Sequence, residues 1–170
     1  MASRLSPNLP KTEKKAEMIH FVLTGNPGTG KTTVAKLIGQ MFYEMGYLKS
    51  GQLVELYPTQ LIGGVYWTNC YENSRLYTKS YGGVLFIDEA YTLKRSNQNG
   101  FGQEAIDTLM KAMDQYKGKF IVVVVGYRKE MDTFNNSNSS LQRRFTEKIH
   151  IEDYTAEEMY KILLFHAKKI

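Results

Sequence analysis

Between the apolar stretch Ile19-His-Phe-Val-Leu23 and the amphipathic run Thr33–Phe42 stands the octapeptide Gly25-Asn-Pro-Gly-Thr-Gly-Lys31-Thr32. It fits GxxxxGK[ST], a pattern that works only between a strand and a helix. There, the loop's backbone N–H groups and the helix N-terminus converge on one spot and stabilise an anion with dipoles and hydrogen bonds together. Asn26, Pro27, Gly28, Thr29 and Gly30 form the cradle, and Thr33 continues it into the helix. Lys31 is expected to reach the β- and γ-phosphates of a nucleotide such as ATP, and the Thr32 hydroxyl to ligate Mg2+. The spacing alone also suits an ordinary glycine-rich turn. The flanking strand and helix decide against that.

The rest of the chain continues the alternation. Gln52–Tyr57 alternates like a strand, Val84–Ile87 is a short apolar run typical of a strand buried on both faces, and Phe120–Val125 is another. Between them Ala105, Ile106, Leu109, Met110 and Met113 mark one face of a helix, and a further helix is expected near Tyr71–Ser80. Lys94–Gly100 and Asn135–Ser140 read as polar loops. Glu147–Ile151 reads as a fifth strand, followed by a Thr155/Glu158 capping box and a last helix. Such alternation implies an α/β fold with parallel strands. Met41, Phe42, Met110 and Met113 are expected in the core, and Tyr43 and Tyr116 as half-buried packing residues.

Composition narrows the class. The 170 residues suit one domain, and no apolar run approaches the roughly 18 residues of a membrane helix. Cys70 is the single cysteine, so no internal disulfide forms; three histidines make no metal cluster; a cytoplasmic, reducing setting is the simplest reading. The net charge is +5, and Arg4, Lys11, Lys14 and Lys15 crowd the first seventeen residues, a flexible basic lead-in. This charge leaves room for a nucleic-acid motor, but no recognition module accompanies it.

Two features turn a phosphate site into a hydrolytic one. Val84-Leu-Phe-Ile87 ends in Asp88-Glu89. Asp88 can share a magnesium shell with Thr32, while Glu89 can orient or deprotonate an attacking water. Alternatively the pair only caps the next helix. Further on, Leu141-Gln-Arg143-Arg144-Phe145 offers cations just before the fifth strand. Arg144, ahead of Arg143, is the candidate arginine finger; the competing reading is a surface arginine–carboxylate pair.

Together GNPGTGKT, GGVLFIDEAY, Phe101-Gly-Gln-Glu-Ala-Ile-Asp-Thr-Leu109, the strand end Gly126-Tyr127 and Leu141-x-x-Arg144-Phe145 resemble the CbxX/CfqX group of AAA+ ATPases. That group includes the red-type rubisco activases and the stage V sporulation protein K proteins. The resemblance covers about Ile19 to Asp153. It implies a five-stranded parallel sheet of order 5-1-4-3-2 flanked by helices, and assembly into a homo-oligomeric ring of six. ATP then sits between subunits, and Arg144 reaches the neighbour's γ-phosphate. Tyr127 falls where the family ends its fourth strand and is a further candidate near the nucleotide. The resemblance further implies residues 18–153 as the nucleotide-binding subdomain and 154–170 as the first helix of a truncated lid. Where the group carries a pore-facing Leu-Val-Gly-x-Tyr loop, this chain has Leu61-Ile-Gly-Gly-Val-Tyr66-Trp67, so Tyr66 and Trp67 suit either pore paddles or packing. The function implied is ATP hydrolysis that remodels a protein partner, weak in a core without its lid. The alternative is a nucleotide-gated module with little hydrolysis.

Overall fold

A computed structural model describes residues 19–66, 77–95 and 101–167. Its elements in chain order are β1 (Phe21–Thr24), α1 (Lys31–Glu44), β2 (Leu53–Leu56), α2 (Pro58–Tyr66), β3 (Val84–Ile87) and α3 (Thr92–Arg95). Then follow α4 (Phe101–Gln115), β4 (Ile121–Gly126), α5 (Arg128–Asn136), α6 (Ser139–Arg144), β5 (Glu147–His150) and α7 (Ala156–Ala167). The five strands form one sheet in the order β2-β3-β4-β1-β5. Every neighbouring pair is parallel, with Thr24 in register with both Gly126 and His150, and Ile87 with Val124. This is the order that the family resemblance implies.

Alternation along the strands builds two cores. Phe21, Leu23, Val84, Phe86, Ile121, Val123 and Val125 face α1 and meet Ala35, Ile38 and Phe42. Val22, Leu85, Ile87, Val122 and Val124 face the other way, onto Leu61, Ile106, Leu109, Met113, Phe134 and Phe145. The result is a sheet between two helical layers. Val122 through Val125 are all 0% exposed. Burying a side chain of this kind contributes about 1.5–3 kcal/mol, so the central strand anchors everything at its ends.

Several expectations change in detail. Met41 is 47% exposed and Tyr43 46%, because the buried stripe of α1 is Ala35, Ile38, Gly39 and Phe42, and both lie off it. Tyr116 does pack at the core edge, with its ring 5.0 Å from that of Tyr81. The Asn135–Ser140 segment is mostly helical. Asn135 is buried in α5, and Asn138 caps α6 by accepting the Ser140 N–H at 2.8 Å. Lys94 and Arg95 belong to α3, while 96–100 lie outside the described residues. Of the helix expected over 71–80, only 77–80 is described, with 77–79 helical and Ser80 in a turn. The basic lead-in, Trp67 and the side chain of Tyr66 also lie outside the described residues.

The capping box holds. Thr155 N–H and Oγ1–H both donate to Glu158 Oε2, and Glu158 N–H returns to Thr155 Oγ1. These bonds hold the Glu158 carboxyl below its ordinary value, the backbone bond most. The helix they start, α7, leaves Met159, Leu163 and Phe165 exposed. Among the described residues no helix is long and apolar enough to cross a membrane.

Candidate nucleotide site

In an all-parallel sheet every strand ends at the same edge, and ligands gather in the crevice outside those ends. Here β1 delivers Gly25–Thr32, β3 delivers Asp88 and Glu89, and β4 delivers Gly126 and Tyr127. They enclose one cavity of about 390 Å³, lined by Gly25, Pro27, Gly28, Gly30, Lys31, Thr32, Asp88, Glu89 and Tyr127 among others. Phe86, Val125 and Gly126 complete its floor. Sequence reasoning missed these three, because apolar strand ends look the same whether or not they face a ligand.

The loop has the backbone an anion cradle needs. Gly28 and Gly30 have φ of 81° and 87°, a region that costs residues with a side chain about 1–2 kcal/mol. A Cβ on Gly28 would meet nothing within 4 Å, so the constraint there is conformational and the space above it is open. Thr29 is 4% exposed and does not line the cavity; its hydroxyl donates to the Asn26 carbonyl at 2.8 Å and fixes the loop's curl. Asn26 points away, donating to Asp153 Oδ2 at 2.8 Å, and Thr33 is exposed on α1. Lys31 Nζ donates to the Gly25 and Asn26 carbonyls at 3.0 and 2.6 Å. An ammonium has three donors, so phosphate oxygens can take the third and exchange for the others.

At the end of β3, Asp88 Oδ1 accepts the Glu89 N–H at 3.0 Å. Among the described residues Glu89 is the one non-glycine with positive φ, 49°. The Glu89 carbonyl accepts both the Thr92 N–H and the Thr92 hydroxyl, while the Ala90 N–H donates to Val125 of β4. Backbone held in this way at a cavity mouth is where function outweighs conformational ease. Both Asp88 and Glu89 border the cavity.

A divalent cation fits this donor set. Thr32 and Asp88 both line the cavity and carry hard oxygen donors. Among the described residues no group of three or more His, Cys, Asp or Glu could hold a metal by itself. A cation here would thus complete its shell with phosphate oxygens and water, as magnesium does.

Arg144 is elsewhere. It ends α6, which leads into the first residue of β5, in register with Phe21 at the start of β1. About 13 Å of strand separates that edge from the phosphate loop. Its guanidinium pairs with Asp114, and the neighbouring Arg143 is exposed. Two residues given no part in the site by the sequence touch the loop directly. Besides Asp153, the Tyr154 hydroxyl donates to the Thr29 carbonyl at 3.1 Å. No residue motif marks them; their position just beyond β5 does.

The model of the ATPase family associated with various cellular activities (AAA) matches residues 21–153. The chain belongs to the AAA ATPases. It is 44% identical over 146 residues to stage V sporulation protein K of Bacillus subtilis, covering 86% of this chain and 45% of that protein. It is 37% identical over 145 residues to the chloroplastic ribulose bisphosphate carboxylase/oxygenase activase of Cyanidioschyzon merolae, covering 85% and 50%. The crystal structure of the FIGL-1 AAA domain in complex with ADP shares the fold, with a TM-score of 0.57 at 19% identity over 88% of this chain and 48% of that one. Family membership makes this AAA chain a nucleotide-binding domain of ATPase type. The chain spans about half the length of the curated relatives it matches.

Proposed function

We propose that this AAA domain binds ATP with magnesium at the β1/β3/β4 edge and hydrolyses it, and that the protein it serves remodels a protein partner in the cytoplasm. One observation carries the reading. Lys31, Thr32, Asp88 and Glu89 leave the ends of two strands that are not neighbours, yet border a single cavity. The loop N–H groups and Lys31 hold the β- and γ-phosphates in line; Thr32 and Asp88 would hold magnesium, which would supply charge neutralisation at the phosphate oxygens. Glu89 accepts a proton from, or orients, the water that attacks the γ-phosphorus. Tyr127 borders the same space from the end of β4. Arg144 of an adjacent copy supplies positive charge to the oxygens that gain it in the transition state, within a ring of six. Residues 18–153 form the nucleotide-binding subdomain, and 154–170, with α7, the first helix of a lid. The name of one relative, an activase of a carboxylase, supports a protein as the partner class.

The test is Glu89→Gln. It should leave ATP affinity unchanged and lower turnover by about 10²–10⁴. A variant that binds ATP and hydrolyses it at the wild-type rate removes Glu89 from the mechanism.

A further inference from the structure

Arg144 is not a loose surface cation. Its Nε–H donates to Asp114 Oδ1 at 3.3 Å and its Nη2–H to Asp114 Oδ2 at 2.5 Å, a side-on bidentate pair. Its Nη1–H donates to the Ser140 carbonyl at 3.0 Å. A guanidinium carries five N–H donors. These bonds use three, one each from Nε, Nη1 and Nη2, and leave two, one on each terminal nitrogen. Both anchors are themselves fixed. Asp114 follows the fully packed Met113 in the last turn of α4, and Ser140 precedes Leu141, which is 0% exposed. The Arg144 side chain remains 23% exposed, so the pair lies within reach of a partner at this surface.

Holding a free arginine in one orientation against a phosphate costs the rotamer entropy of a long, flexible side chain. A braced arginine has lost that entropy before the phosphate arrives. We propose that Asp114 is a positioning residue for hydrolysis: it braces Arg144 so that two N–H donors are presented to the γ-phosphate of the adjacent subunit's ATP. This rests on the reading of Arg144 as the finger. The opposite arrangement, in which Asp114 competes with phosphate and holds the arginine back, requires the opposite sign when Asp114 is neutralised.

The experiment measures ATP hydrolysis and nucleotide affinity for the full chain and for Asp114→Asn, Asp114→Glu, Arg144→Ala and the Asp114→Asn/Arg144→Ala double variant. Asp114→Asn should lower kcat about tenfold, a fraction of the 10³–10⁵ a finger supplies, with the ATP dissociation constant unchanged. Asp114→Glu should recover most of the loss. In the Arg144→Ala background the asparagine should cost nothing further, because the two residues act as one unit. A kcat for Asp114→Asn at or above wild type overturns the proposal, as does a full tenfold loss without Arg144. Arg144→Ala with wild-type kcat overturns the finger reading itself, and this proposal with it. A second readout is independent of turnover. The Arg144 Nε–H resonance, identified by its loss in Arg144→Ala, should exchange slowly with water in the wild type and fast in Asp114→Asn, with the backbone amide spectrum preserved. Equally slow exchange in both overturns the brace.

Discussion

His20 shows how a single residue ties the sheet to the arginine edge. It is 2% exposed, its Nδ1 accepts the Val122 N–H at 2.9 Å, and its ring lies 6.1 Å from that of Phe145. With Nδ1 accepting, the neutral ring carries its proton on Nε2, which is buried without a partner among the described residues. Burial first, and the Arg144 charge second, push the imidazole down to about 4, against a smaller opposing pull from Asp114. The sign follows from proton counting. Between about 6.5 and 4 the unfolded chain binds a proton that the folded chain refuses, so stability is full above about 6.5 and falls as pH drops toward 4. The loss from this residue amounts to roughly 3 kcal/mol. His20→Gln keeps an acceptor for Val122 and removes the titration. Urea unfolding across pH 7 to 4 should show a shallower decline for the variant. Identical slopes would mean that His20 is protonated in the folded protein as readily as in the unfolded one.

At the scale of elements, the phosphate loop is held from two directions. From within, Thr29 Oγ1 closes on Asn26; from outside, Asp153 and Tyr154 bond Asn26 and the Thr29 carbonyl. Tyr154 immediately precedes the Thr155 cap of α7, so the start of that helix and the cradle share a tether. Tyr154→Phe deletes one hydrogen bond of about 0.5–1.5 kcal/mol and leaves the ring. ATP titration should show a dissociation constant raised about three- to tenfold with little change in Tm. An unaltered constant would leave the internal Thr29–Asn26 bond sufficient by itself. The loop was legible in the residues because its function lies in backbone shape, and Gly28, Gly30 and Lys31 declare that shape locally. Its tether was not, since Asn26 and Asp153 are 127 residues apart and neither is unusual in a surface loop. Asp114 escaped for the same reason, 30 residues from the arginine it braces. The alternation of strands and helices implied a parallel sheet; the strand order is a matter of long-range pairing and followed only from the family resemblance. Asn135–Ser140 misled because asparagine and serine favour turns and helix caps alike, and here Asn138 caps.

For the whole molecule the decisive fact is that Arg144 and the nucleotide cavity occupy opposite edges of the sheet. An arginine so placed serves hydrolysis only through a neighbour, in a head-to-tail contact that closes as a ring if the rotation per subunit allows it. This can be tested without knowing the partner. Glu89→Gln subunits have a disabled site and an intact finger; Arg144→Ala subunits have the reverse. Each should be nearly inactive alone. Mixed in equal amounts and allowed to exchange, a site is repaired when an Arg144→Ala subunit draws its finger from a Glu89→Gln neighbour. Random placement makes that about a quarter of all sites, so hydrolysis should recover to about a quarter of the wild-type rate, with the maximum at equal mixing. A flat, inactive profile at concentrations where the wild type turns over faster than in proportion to protein would show that the arginine does not cross subunits. A wild-type rate strictly proportional to concentration, together with that flat profile, would instead favour a nucleotide-gated switch, in which phosphate binding at Lys31 is read out through the Tyr154 tether and hydrolysis is incidental.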